Sequence, residues 1–172
     1  MKIRQERIAI LVSVLFTLLL SFPVVAQDRV SSETSFAREL PGSNPHALVG
    51  TWLVQTTITN CMGGTLESFS KLVSANAGGT FVETSSSGLF RSVALGVWEH
   101  RGQTDFVYAQ RFFRFNPDGT PAGSVRTKWT VSMAEEGGSY TATGAIQIVA
   151  PNGTVVASPC GTETGTAMSI PE

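Results

Sequence analysis

Between Ser124 and Met133 the chain alternates almost without exception. Val125, Trp129, Val131 and Met133 are apolar, with Thr127 completing their series, while Ser124, Arg126, Lys128, Thr130 and Ser132 between them are polar or charged. A period of two places one set on a buried face and the other in water, the signature of a half-buried strand. Trp52, Val54, Thr56 and Ile58 repeat the pattern early in the chain, and Tyr140, Ala142, Gly144, Ile146 and Ile148 repeat it late. Clusters of Gly, Asn, Asp, Pro and Ser separate such segments, among them Asn76-Ala77-Gly78-Gly79, Asn116-Pro117-Asp118-Gly119 and Pro151-Asn152-Gly153. These residues tolerate or preset turn dihedrals. The spacing predicts eight strands: Val49–Asn60, Glu67–Ser74, Thr80–Thr84, Ser92–His100, Asp105–Phe115, Gly123–Met133, Ser139–Val149 and Thr154–Met168. No segment of ten or more residues has a helical period, so the fold class is all-β.

Eight half-buried strands in a meander must close on themselves or stack as two sheets, because an open sheet would leave two bare edges. Cys61 follows the first strand and Cys160 lies early in the last. In an up-and-down barrel those two strands are antiparallel neighbours, so a Cys61–Cys160 disulfide would fasten the closing seam. The expected architecture is therefore an eight-stranded antiparallel barrel with its first and last strands linked, ahead of a sandwich with an inter-sheet bridge. Closing a loop of nearly a hundred residues is worth roughly 4–5 kcal/mol in the chain-entropy model.

The amino terminus is of a different character. Lys2, Arg4 and Arg7 precede an apolar run from Ile8 to Leu20, and Pro23-Val24-Val25-Ala26 supplies a small residue before Gln27. This is the pattern of a secretory signal peptide over 1–26, too short for the ~20 residues of a spanning helix. Residues 27–47 read as a flexible polar leader and 48–172 as the barrel domain. Loss of Lys2, Arg4, Arg7 and Glu6 leaves 9 basic and 12 acidic residues, a formal charge of −3. The expectation is a secreted or periplasmic protein, an oxidising setting in which paired cysteines form disulfides. Without a basic stripe, neither nucleic acid nor an anionic membrane surface is an expected partner, and the mature chain is expected to carry no membrane span.

Leu48-Val49-Gly50-Thr51-Trp52 resembles the Gly-x-Trp motif that opens the first strand of lipocalins, and Thr104-Asp105-Phe106 is similar to their Thr-Asp-Tyr motif. The match does not extend to the family's third-motif arginine or to its terminal helix. The resemblance implies a calycin-like barrel, a tryptophan plugging its closed end, and a small apolar molecule bound in its lumen. Gly96-Val97-Trp98 with Phe112-Phe113-Arg114-Phe115 also resembles a group of small secreted bacterial barrels, which implies no activity.

An eight-stranded barrel has room either for its own side chains or for one small ligand. The candidate lining is Trp52, Val54, Trp98, Gln110, Arg111, Phe112, Trp129 and Tyr140, whose aromatics would otherwise fill the core. The doubled Phe112-Phe113 interrupts strict alternation as a bulge would, and leaves either Gln110 or Arg111 facing inward. An inward arginine would need a partner and could anchor a carboxylate ligand. Leu89-Phe90-Arg91 marks either an exposed contact loop or a cap on one end of the barrel. A catalytic constellation is not legible: His46 and His100 lie far apart, Glu99 and His100 point to opposite faces of a strand, and no serine sits in a nucleophile elbow. No cofactor is expected, and the sequence carries no metal-ligand spacing. The alternative to ligand binding is a ligand-free interaction module working through loops and outer surface.

Overall fold

The computed structural model describes residues 44–170. The expected signal segment and residues 27–43 of the leader lie outside that range. Nine strands follow one another: β1 Gly50–Thr59, β2 Thr65–Ala75, β3 Thr80–Ser85, β4 Ala94–Gly102, β5 Asp105–Phe115, β6 Pro121–Met133, β7 Ser139–Val149, β8 Val155–Ala157 and β9 Cys160–Ala167. From β1 to β7 each strand pairs antiparallel with the next. β9 pairs with β7 on one side and β1 on the other, which closes an eight-stranded barrel.

The expected last strand is one strand in two pieces. β8 and β9 lie along the same edge of β7, separated by Ser158-Pro159, where proline has no N–H to give the ladder. The Pro159 carbonyl still accepts a bond from the Ile146 N–H at 3.1 Å. Thr59 stands opposite Cys160 across the seam. Cys61, one turn residue beyond β1, forms the disulfide with Cys160 at a Cα–Cα distance of 5.0 Å.

Alternation sends Trp52, Val54 and Thr56 of β1, Val125, Thr127, Trp129, Val131 and Met133 of β6, and Tyr140, Ala142 and Ile146 of β7 inward. One end of the barrel is solid. The chain turns over Asn44–Leu48, with the Ala47 N–H on the Asn44 carbonyl, and delivers Leu48 into the interior, where its carbonyl accepts the Trp52 indole N–H at 2.9 Å. Trp52 meets Tyr140 edge-on at 5.2 Å, and Trp98 meets Phe106 at 5.8 Å. Such pairs add roughly 0.5–1.5 kcal/mol each beyond their burial. Three inward glycines make room for the rings. A Cβ on Gly144 or Gly161 would stand 2.3 or 2.6 Å from Trp129, and one on Gly165 would stand 2.2 Å from Tyr140. No helix among the described residues is long and apolar enough to cross a membrane.

The doubled phenylalanine on β5 does not break the alternation. Gln110 and Phe112 point inward, whereas Arg111 and Phe113 point out, and the register shifts only at Arg114/Phe115. Arg111 therefore leaves the group of lumen candidates, because strict pairing with Arg126 of β6 holds both on the outer face.

Candidate functional site

Past the aromatic plug, towards the end that carries the disulfide, the interior changes chemistry. Six polar or charged side chains are buried there: Thr56, Lys71, Glu83, Gln110, Thr127 and Glu163. Each is placed by strand alternation alone. Lys71 shares the inner face of β2 with Val73 and Ala75, Glu83 shares that of β3 with Phe81, and Glu163 stands between Gly161 and Gly165 on β9.

Glu163 is the hub. One of its oxygens accepts from the Lys71 ammonium and the other from the Tyr108 hydroxyl, and Thr56 Oγ1 donates to the first at 3.3 Å. Lys71 also donates to Tyr108 Oη at 3.2 Å. Its Nζ lies 5.5 and 5.2 Å from the ring centroids of Tyr108 and Trp129, within cation–π range. Glu83 extends the network: Lys71 Nζ stands 3.8 Å away, Arg91 Nη2 is at 2.9 Å, and the Gln110 amide N–H donates to it. The Arg91 side chain, only 8 % exposed, caps the group with its guanidinium 3.5 Å above the Phe112 ring. Its Nη1 donates to Ser85 Oγ at 3.1 Å.

Two cations and two carboxylates thus neutralise one another inside the barrel, which limits the desolvation each would otherwise suffer. Burial raises the Glu163 carboxyl above the ordinary glutamate range, and the Lys71 charge pulls it back only in part. Burial likewise raises the Tyr108 phenol well above its ordinary value, with the Glu163 charge reinforcing it, so Tyr108 remains a donor.

Above this floor lies a partly open cavity of about 100 Å³. Its walls are Ile58, Phe69, Phe112, Val125, Ile146 and Ile148, and Leu89 and Pro159 stand among its lining residues. Of the sequence candidates, Gln110, Phe112 and Trp129 meet at this cavity. Trp52, Trp98 and Tyr140 belong to the plugged end, and Val54 is sealed in the core. The sequence reading missed Lys71, Glu83, Glu163 and Tyr108 as interior groups, whereas Arg91 belongs to the Leu89-Phe90-Arg91 segment, for which a cap on one end of the barrel is one of two alternatives. In β2 and β3 a signal was present, since Lys71 and Glu83 are in phase with the apolar residues around them.

Among the described residues no group of three or more His, Cys, Asp or Glu side chains could hold a metal ion. His100 faces the backbone, its Nε2 3.1 Å from the Gln103 carbonyl oxygen, and Glu99 pairs with Arg101 instead. The two tripeptides that carry the lipocalin resemblance contribute Trp52 and Phe106 to the plugged end. Comparison with known proteins returns no matching family model, curated protein or solved structure.

Proposed function

We propose that the barrel is a lipocalin-like carrier or receptor that takes a small apolar group into the open half of its lumen. The observation that carries this reading is the cavity itself: apolar walls over a floor whose charges are already paired with one another. A ligand entering it gains apolar contact above charges that are paired with one another, and Glu67, the lining carboxylate outside those pairs, is partly exposed to solvent. The space is on the order of the ~150 Å³ engineered cavities that stay dry and admit benzene, so the fitting ligand is a small ring or the end of a branched or linear apolar chain, with any remainder emerging past Leu89. The disulfide and the expected export segment support a site of action in an oxidising compartment.

Trp129 borders the cavity and reports on its contents. Titration with indole, toluene and short-chain fatty alcohols should change tryptophan fluorescence saturably, and Ile148→Phe, which extends a ring into the space, should abolish the change without lowering the melting temperature. A flat titration with all three compounds would remove the carrier reading.

A further inference from the structure

The outward side chains of β4, β5 and β6 form rows across three strands. In one row Leu95 stands beside Arg111, and Arg111 beside Arg126; in the next, Val97 stands beside Ala109, and Ala109 beside Lys128. Leu95 is 64 % exposed, Val97 62 %, and Phe113, the next outward residue of β5, 59 %. Like charges directly opposite one another on a sheet are destabilising, yet Arg111 and Arg126 are paired in register.

Among the described residues no carboxylate forms an ion pair with them. The ion pairs among the described residues involve only Lys71, Arg91 and Arg101 as cations. Glu99 is level with Val107, four residues down β5 from Arg111, or about 13 Å at ~3.3 Å per residue. Asp118, in the β5–β6 turn, accepts from the Thr120 hydroxyl and N–H. The arginines also border a shallow cleft of about 330 Å³ between the ends of β5 and β6 and the turn after β7, with Phe113, Pro121, Val149 and Pro151 around it. Gly123 permits that closeness: a Cβ there would stand 2.0 Å from the Val149 carbonyl oxygen.

We propose that this cleft binds the phosphate group of an amphiphile, whose apolar part lies on Phe113 and Leu95. Two arginines directly opposite one another on adjacent strands and lining one cleft can offer two guanidinium forks to an anion with several oxygens and more than one charge, which a phosphate ester supplies and a single carboxylate does not. The exposed apolar residues around the arginines give the attached chain a surface to cover. Closure of the barrel leaves no free strand edge on this wall, so recognition proceeds through side chains and not by strand addition. The site is on the opposite side of the β5 wall from the lumen and is independent of it.

The test uses two probes. One is soluble dihexanoyl phosphatidic acid, followed by amide chemical shifts of β5 and β6; the other is vesicles with 30 mol % of an anionic phospholipid, compared with purely zwitterionic vesicles in a co-sedimentation assay. The site predicts saturable shifts centred on Arg111, Phe113 and Arg126 with the soluble probe, weakened by salt and reduced at least tenfold in Arg111→Gln/Arg126→Gln. Additional retention by the anionic vesicles would identify the source as a bilayer, and response to the soluble probe alone would identify a free amphiphile. Both substitutions are on the solvent face, so folding and the indole titration should stay unchanged. Absence of response to either probe at low salt, an equal response from the double variant, or an Arg111- and Arg126-dependent dimer in light scattering would each overturn the proposal.

Discussion

The two halves of this barrel, built from the same eight strands, solve the problem of a closed interior in opposite ways. At the plugged end, Trp52, Trp98, Phe106, Met133 and Tyr140 fill the space, and Gly165 lets the Tyr140 ring seat against backbone. At the other end Lys71, Arg91, Glu83 and Glu163 hold one another across the lumen, and a cavity of about 100 Å³ remains above them. The first arrangement draws its stability from contact and has no slack. The second is held by ion pairs that are worth little beyond their own desolvation and by the disulfide at its rim. Tight packing is therefore concentrated at one end and open space at the other, and the Lys71–Glu163–Tyr108 contacts form the boundary.

The largest effect that would sharpen this contrast concerns the rim. Replacing Cys61 and Cys160 together by alanine should lower stability by roughly 4–5 kcal/mol, read from urea denaturation against the oxidised parent. An unchanged midpoint would mean that packing alone holds the open half. Next comes the boundary. Lys71→Met leaves the buried Glu163 carboxylate with its hydroxyl donors but without a counter-charge and should cost about 3–5 kcal/mol; Lys71→Met/Glu163→Gln, which removes both charges, should recover at least half of that loss. Failure to recover would show that Glu163 is not the group Lys71 serves.

Slack provides a smaller and more direct contrast. Gly165→Ala drives a methyl group into Tyr140 and should cost about 1–3 kcal/mol, whereas Val125→Ile adds a methyl group beside the cavity and should cost under about 1 kcal/mol. Equal penalties would erase the distinction between the halves.

The smallest effect is one of pH. Because burial raises the native Glu163 pKa above its unfolded value, the native state binds more protons in the interval between the two. Stability from this group is complete below the ordinary glutamate range and declines as pH rises through that interval. The denaturation midpoint of the parent should therefore fall relative to that of Glu163→Gln as pH increases from the ordinary glutamate range towards neutrality. A constant difference would place Glu163 in a wetter environment than the one described.

Why the plugged half is legible in the sequence and the charged floor of the open half is not follows from the same contrast. Alternation of apolar residues announced the inner faces of β1, β6 and β7, and the positions of Cys61 and Cys160 announced closure. A charged residue on an inner face carries no such mark, because a single strand does not show what stands across the lumen. Lys71 and Glu83 are in phase with Phe69, Val73 and Phe81, but a charged side chain is as a rule found on the solvent face. Glu163, between glycines, had no bulky neighbours to fix its phase, and Arg91 enters from a loop. On β5, Phe112 and Phe113 left two phases open, which only the register with β6 decides. The break before β9 falls at Pro159, inside the run 154–168 that the pattern alone presents as one strand.

The most direct test of the account is an amide NMR titration of the oxidised protein with toluene. Shifts should concentrate on Thr56, Lys71, Gln110, Phe112, Trp129 and Ile146, while Trp52, Trp98 and Tyr140 at the plugged end stay still. Shifts centred on the plugged end, or none anywhere at saturating toluene, would contradict a barrel that is solid in one half and receptive in the other.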